Sequence, residues 1–361
     1  MWNTRRIRLS LIVACLGLVA AACSSTTDSE SSGPTSTSAT STSAPESDAP
    51  LTSITFLMDF LVSGWHAPAY AGVSEGFFED EGLDVTVQPG QGSVDGAKKV
   101  AAGAAQFAQI DAASALRTIA EGGDLLLIGV IDQAYPGGLC YLGEKHTIND
   151  FADLQGLKIA ASEGDAYVVP LPGLVEAAGL DPSSYERVVM TPPNYVASLV
   201  AGQVDAFACA GHRIWISAEA AVATEGLTLK MFRYADTGFD PLGHMLVVNG
   251  EFGRQNPELV QNFVNAWALS HVWAWANPDQ ALADFGTINP DVDADIARAT
   301  FLDRQQSYAA GDEFFTATPE KLQATVAFIN GAYDAELDAD SVYSSEFVDN
   351  LPESVRQGNL P

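Results

Sequence analysis

From Leu51 onward, apolar runs with the two-residue period of a strand alternate with runs at helical spacing. That alternation restricts the chain to an α/β architecture built mostly on parallel strands. Strands are expected at Ile54–Phe60, Asp84–Gln88, Ala105–Ile110 and Leu125–Ile131, with helices at Ala67–Glu75, Val94–Ala102 and Ser114–Glu121 between them. A second cycle follows, with strands at Leu157–Ala161, Arg187–Met190, Val204–Cys209 and Leu227–Phe232 and helices at Leu171–Ala178, Val196–Ala201 and Ile214–Ala223. Residues Leu51–Pro361 exceed the usual size of one hydrophobic core, so two lobes are expected. After Asp240-Pro241 the pattern changes to a short strand, Met245–Val248, and then to helices opened by Asn256-Pro257-Glu258 and Asn277-Pro278-Asp279. Trp267, Trp273 and Trp275 lie on the first of these helices and read as packing.

The first 50 residues have a different character. Arg5, Arg6 and Arg8 precede the apolar run Leu9–Ala22, which ends at Cys23 and gives way to a tract of Ser, Thr, Ala, Pro, Asp and Glu. The run is shorter than the ~20 residues a membrane-spanning helix needs, and it fits a secretory signal. Val19-Ala20-Ala21-Ala22-Cys23 resembles the lipobox of bacterial lipoproteins, with Ala20 in place of the usual Leu; Cys15 fits the consensus locally but leaves a short apolar core. Residues 1–22 therefore read as a signal peptide and 23–50 as a lipidated tether too polar to bury a core. An uncleaved anchor or an ordinary secreted chain are the alternatives.

Formal charge of −29, from 46 acidic and 17 basic residues, excludes nucleic acid as a partner, since phosphate neutralisation needs clustered Lys and Arg. Outside the leader, Cys140 and Cys209 are the two remaining cysteines, and export permits a disulfide as readily as two buried thiols. His66, His146, His212, His244 and His271 form no metal-binding spacing, and neither a GxSxG elbow nor a Walker loop occurs. No metal, no cofactor and no catalytic residue is expected.

Several segments in order carry a resemblance. Thr55–Asp59, Trp65–Tyr70 and Glu75-Gly76-Phe77-Phe78-Glu79-Asp80-Glu81-Gly82-Leu83-Asp84-Val85 open the series. Val100–Gly103 with Phe107 follows, where Gln106 replaces an aspartate, then Leu154–Ala160, Ala201–Ala206 and Asn256-Pro257-Glu258. Together they resemble the periplasmic solute-binding proteins that serve ABC importers of thiamine pyrimidine precursors, sulfonates, taurine and nitrate. The resemblance implies a type II periplasmic-binding-protein fold, with two α/β lobes, a ligand cleft and two hinge crossings. Lobe 1 would comprise 51–139 and 243–361 and lobe 2 140–242, with crossings near Gly138–Leu142 and Asp240–Leu246. It further implies a small-molecule ligand, a permease and ATPase as partners, an extracytoplasmic location and a monomer. A catalytic branch of this fold, the eukaryotic synthase of the thiamine pyrimidine, uses an active-site histidine and a cysteine-rich motif. Ser114 stands at that histidine's place here and no clustered cysteines follow, so a receptor is expected.

Ligands of open parallel sheets sit beyond the carboxyl ends of the strands. That rule nominates Asp59, Trp65 and His66 after the first strand, Gly92 and Ser93 after the second, Asp111 and Ser114 after the third and Tyr135, within Asp132–Tyr135, after the fourth. From lobe 2 it nominates Glu163 and Tyr167, within Glu163–Tyr167, Asn194, within Pro193–Tyr195, and Arg213 and Trp215, within Cys209–Trp215. The aromatics are suited to stacking on a heteroaromatic ring and Asp59, Asp111 and Glu163 to accepting its amines; Arg213 instead suits a carboxylate, sulfonate or phosphate. For His66, a structural hydrogen bond beside Pro68 competes with ligand contact.

Overall fold

A computed structural model describes residues 50–163, 165–210, 214–239, 241–305, 308–310 and 312–361. The signal, tether and Cys23 readings, Arg213, and Asp240 at the second crossing lie outside the described residues.

Two five-stranded sheets carry the fold. The first contains β1 (Thr52–Leu57), β2 (Leu83–Gln88), β3 (Phe107–Asp111), β4 (Leu125–Val130) and β10 (His244–Asn249); the second contains β5 (Gly137–Leu142), β6 (Lys158–Ala161), β7 (Glu186–Val189), β8 (Ala206–Ala210) and β9 (Leu229–Arg233). Their orders are β2-β1-β3-β10-β4 and β7-β6-β8-β5-β9. Both sheets are mixed. In each, the strand arriving from the other lobe, β10 or β5, runs antiparallel to both of its neighbours.

The crossings are thereby fixed. The first runs through 131–136 and the second through 234–243, because Gly138–Leu142 is not a linker but lies inside β5. Leu139, Cys140, Tyr141 and Leu142 are buried and pair on both sides, so their apolar character decides the matter over the turn-like Pro136-Gly137-Gly138 that precedes them. In the same way the expected crossing residues from His244 to Leu246 belong to β10.

The two crossings lie side by side. Ile131 and Asp132 donate their N–H groups to His244 O at 2.8 and 3.0 Å, and Gly243 N–H returns to Asp132 O at 2.9 Å. A Cβ on Gly243 would stand 2.5 Å from Asp132 Cβ and 2.9 Å from Ala134 O, so only glycine allows this approach. Helix Pro319–Tyr333 anchors both segments. Lys321 Nζ donates to Gln133 O, and Thr325 Oγ1 accepts Leu242 N–H at 3.0 Å.

Helix Pro257–Ala276 closes the first lobe's core, burying Val260, Phe263, Val264 and Trp267; the Phe263 ring stacks on Phe107 at 3.8 Å. Trp267 is fully buried, whereas Trp273 and Trp275 are half-buried packing residues. In the second lobe Cys140 and Cys209 form a disulfide between β5 and β8, with Cα atoms 5.5 Å apart, which settles the cysteine alternative left open above.

Candidate functional site in the interlobe cleft

β1, β3 and β10 bring Asp59, Asp111 and His244 to one end of the first sheet, where both crossings also pass. Asp59 leaves the sheet just after β1 and is 2 % exposed. Each of its oxygens is held. Ser63 N–H donates to His66 Nδ1 at 3.1 Å, which puts the ring proton on Nε2, and Nε2 donates to Asp59 Oδ1 at 2.9 Å. Asp59 Oδ2 lies 3.2 Å from His244 Nε2, and His244 Nδ1 lies 2.7 Å from Asp132 Oδ2.

Each His244 ring nitrogen thus faces a carboxylate oxygen, an arrangement that favours the doubly protonated ring. Burial opposes that charge, but hydrogen bonds to Asp132 and Asp59 hold its pKa above the ordinary 6.5. Arg304 Nε, 2.7 Å from Asp132 Oδ1, extends the chain, and its guanidinium lies 3.6 Å above the Trp65 ring. Asp59, Trp65, His66, Asp132, His244 and Arg304 are all at most 2 % exposed. Asp59, His244, Asp132 and Arg304 form one buried chain of alternating acidic and basic groups linking β1, both crossings and the helix Ala294–Gln305.

Facing this floor is the β6-end loop of lobe 2. Asp165 accepts Tyr167 N–H at 3.0 Å and the Tyr195 hydroxyl at 3.3 Å, and Tyr135 of the first crossing donates its hydroxyl to Ala166 O at 2.9 Å. Between the lobes, Asp59, Gly92 and Ser93 from one side and Asp165, Tyr167 and Ile214 from the other line a cavity of about 10 Å³. That is room for about one water. Gly92 has φ of 122°, a conformation open to glycine, and its N–H donates to Asp59 O at 2.9 Å.

Of the residues nominated from sequence, Asp59, Trp65, His66, Gly92, Ser93, Tyr135 and Tyr167 converge at this floor. Asp111 and Ser114 lie behind Ser93, whose Oγ accepts Asp111 N–H at 3.1 Å. The Ser114 hydroxyl donates to Asp111 Oδ1 at 3.2 Å and is spent inside lobe 1. Glu163 is exposed and borders a wider groove of about 710 Å³ with Lys98, Arg117 and Arg187. Asn194 is exposed and donates to Thr191 Oγ1 at 3.0 Å, and Trp215 is half-buried against the core of lobe 2. Neither joins the floor cluster.

Asp132 and Asp165 fall inside the nominated spans Asp132–Tyr135 and Glu163–Tyr167, but His244 and Arg304 were not singled out. His244 carried one local signal, its place just beyond the Asp240-Pro241 break. His146 and His271, among the described residues, differ in kind. His146 pairs with Asp205 at 3.0 Å in lobe 2, and His271 is a core residue bonded to Trp267 O, its pKa driven down to about 3 by burial.

Two α/β lobes, paired crossings and a cleft at the strand ends define the periplasmic-binding-protein fold. The alkanesulfonate-binding protein of Xanthomonas axonopodis pv. citri superposes with a TM-score of 0.62 at 15% identity, over 82% of this chain and 99% of that one. The nitrate-binding protein of Synechocystis PCC 6803 gives 0.60 at 14% identity, over 86% and 92%. Residues 63–281 match the family described as NMT1/THI5 like, and the chain belongs to that family. Among similar sequences, a formylaminopyrimidine-binding protein of Halalkalibacterium halodurans is 25% identical over 280 residues, 76% of each chain. A 4-amino-5-hydroxymethyl-2-methylpyrimidine phosphate synthase of Candida albicans is 25% identical over 264 residues, 71% of this chain and 76% of that one.

Proposed function

We propose that this protein is the substrate-binding lipoprotein of an ABC importer, capturing an aminopyrimidine related to thiamine precursors by hinge closure and presenting it to a permease. The observation that carries the reading is the interlobe cavity walled by both lobes, with Asp59 pinned at its floor. A ligand touching both walls stabilises the closed form by its differential affinity for that form. Asp59 and Asp165 supply acceptors for ring and amino N–H groups, and Tyr167 supplies a ring face. The formylaminopyrimidine-binding relative supports the same ligand class. A sulfonate, taurine-like or carboxylate anion, or a flavin, is the alternative. The carboxylates on the cavity wall favour the aminopyrimidine over an anion.

Calorimetry of the full-length protein with 4-amino-5-hydroxymethyl-2-methylpyrimidine, an alkanesulfonate, a carboxylate and riboflavin tests the ligand class. The aminopyrimidine is expected to bind, and Asp59→Ala to weaken it roughly 10–100-fold, the worth of a charge-assisted hydrogen bond. Binding of the sulfonate alone would sink the reading. The synthase relatives motivate the enzymatic alternative, an extracytoplasmic pyrimidine-processing activity. Mass spectrometry of compounds co-purified with the protein decides it, since a chemically altered bound pool would show turnover.

The proposed address is extracytoplasmic, with a lipid on Cys23 and a flexible tract from Ser24 to Pro50 holding a monomeric receptor near its permease and ATPase. Cys23→Ala is expected to move the protein from the membrane fraction to the soluble one with ligand affinity unchanged. A variant that stays membrane-bound would point to Cys15 or to an uncleaved anchor.

A further inference from the structure

Asp165 and Tyr167 line the interlobe cavity from a loop, and side chains of other elements hold that loop in place. Arg187 of β7 donates from Nη2 to Ser162 O at 2.7 Å and to Glu163 O at 3.1 Å, and the Tyr135 hydroxyl donates to Ala166 O at 2.9 Å. These contacts grip backbone carbonyls. Tyr195 differs, because it reaches the carboxylate itself. Its hydroxyl accepts Ser162 N–H at 2.6 Å and donates to Asp165 Oδ2 at 3.3 Å, while Asp165 Oδ1 accepts Tyr167 N–H at 3.0 Å.

With the Ser162 N–H aimed at the phenol oxygen, the one hydroxyl proton is left for Asp165. Hydrogen bonds in series of this kind strengthen one another. Burial, and after it the Asp165 charge, push the Tyr195 phenol above its ordinary pKa, so the hydroxyl stays a donor. The ring is spent elsewhere. Tyr195 is buried and stacks on Phe207 of β8, with ring centroids 5.3 Å apart and planes 28° apart, and it lies outside the cavity lining.

We propose that Tyr195 is a positioning residue for solute recognition: its hydroxyl orients the Asp165 carboxylate, so that lobe 2 presents an acceptor already in place when the lobes close on a solute N–H. This rests on the aminopyrimidine reading above and deepens it. A carboxylate ordered in advance loses little rotational freedom on binding, whereas a free one would have to be ordered by the solute. Tyr195 thus contributes to affinity through Asp165 without touching the solute.

A double-mutant cycle of Tyr195→Phe and Asp165→Ala tests this in the full-length protein, with 4-amino-5-hydroxymethyl-2-methylpyrimidine as probe. Phenylalanine keeps the ring on Phe207 and deletes only the hydroxyl. Ligand-observed NMR titration reads the affinities, since it still follows weak binding in the Asp165→Ala background. Tyr195→Phe alone should weaken binding roughly tenfold, within the range of pairwise coupling between residues in contact. Added to Asp165→Ala it should change affinity less than about twofold, because the carboxylate it positions is gone. A role exerted through Ser162 or through packing would instead cost the same factor in both backgrounds, and that result overturns the inference alone. So does wild-type affinity in either single variant. No binding of the probe by wild type overturns the aminopyrimidine reading and this inference with it.

Discussion

Asp132→Ala is expected to lower the unfolding free energy by about 3–5 kcal/mol, the cost of removing one partner from a buried ion pair. Asp132 is completely buried and serves two cations, Arg304 through Oδ1 at 2.7 Å and His244 through Oδ2 at 2.7 Å. Alanine would remove the carboxylate that His244 and Arg304 share beneath the hinge, and the acceptor that His244 N–H also reaches at 3.3 Å. Asp132→Asn keeps the shape and one acceptor, so a smaller loss is expected. Changing Asp132→Asn together with Arg304→Met removes both charges of the pair and should lie closer to wild type than Asp132→Ala, because the penalty comes from the orphaned partner. Urea denaturation of the three variants ranks them. If Asp132→Ala unfolded at the wild-type midpoint, the charge chain would be contributing nothing to the hinge.

The same substitution bears on function. Asp132 holds the His244 ring, and His244 holds one oxygen of Asp59 at the cavity floor while His66 holds the other, so losing Asp132 loosens one of the two restraints on Asp59. Ligand affinity should then fall even in molecules that remain folded, whereas a purely structural role would change stability alone.

That chain shows where local sequence patterns stop being informative. The strand and helix runs are local, so β2, β4 and the helix at Ala67–Ser74 lie within a residue or two of the expected limits. Asp59 could also be found locally, since it follows an apolar strand whose carboxyl end must face the cleft. By contrast, Asp59 and His244 meet across a sequence separation of 185 and His244 and Asp132 across 112, distances over which no periodicity carries information. Arg304 is harder still. It lies in an amphipathic-looking helix among acids, where an exposed ion pair is the usual outcome, and only the packing of that helix beside Trp65 turns it inward. β5 was missed for a different reason. Pro136-Gly137-Gly138 reads locally as a turn, while the strand it opens gains stability from pairing with β8 and β9, segments far along the chain.

Breaking the Cys140–Cys209 bond should cost on the order of 4 kcal/mol, the loop-closure value for the 69-residue separation it spans. The bond joins β5 to β8 at the centre of the second sheet, and both sulfurs are fully buried, so the fold gives reductant no direct route to them. Two consequences follow from that placement. Mild reductant should leave the native protein oxidised, and reduction should proceed only as fast as lobe 2 opens. A Cys140→Ala/Cys209→Ala variant should unfold at markedly lower urea concentration than the oxidised wild type, with the loss concentrated in lobe 2, because the first sheet and its core contain no part of the closed loop. Hydrogen exchange localises the effect: amides of β5, β6 and β8 should lose protection while those of β1 and β3 keep theirs. Equal midpoints for the variant and the wild type, or protection lost evenly in both lobes, would show that β5 is held by its strand pairing and packing without need of the covalent link.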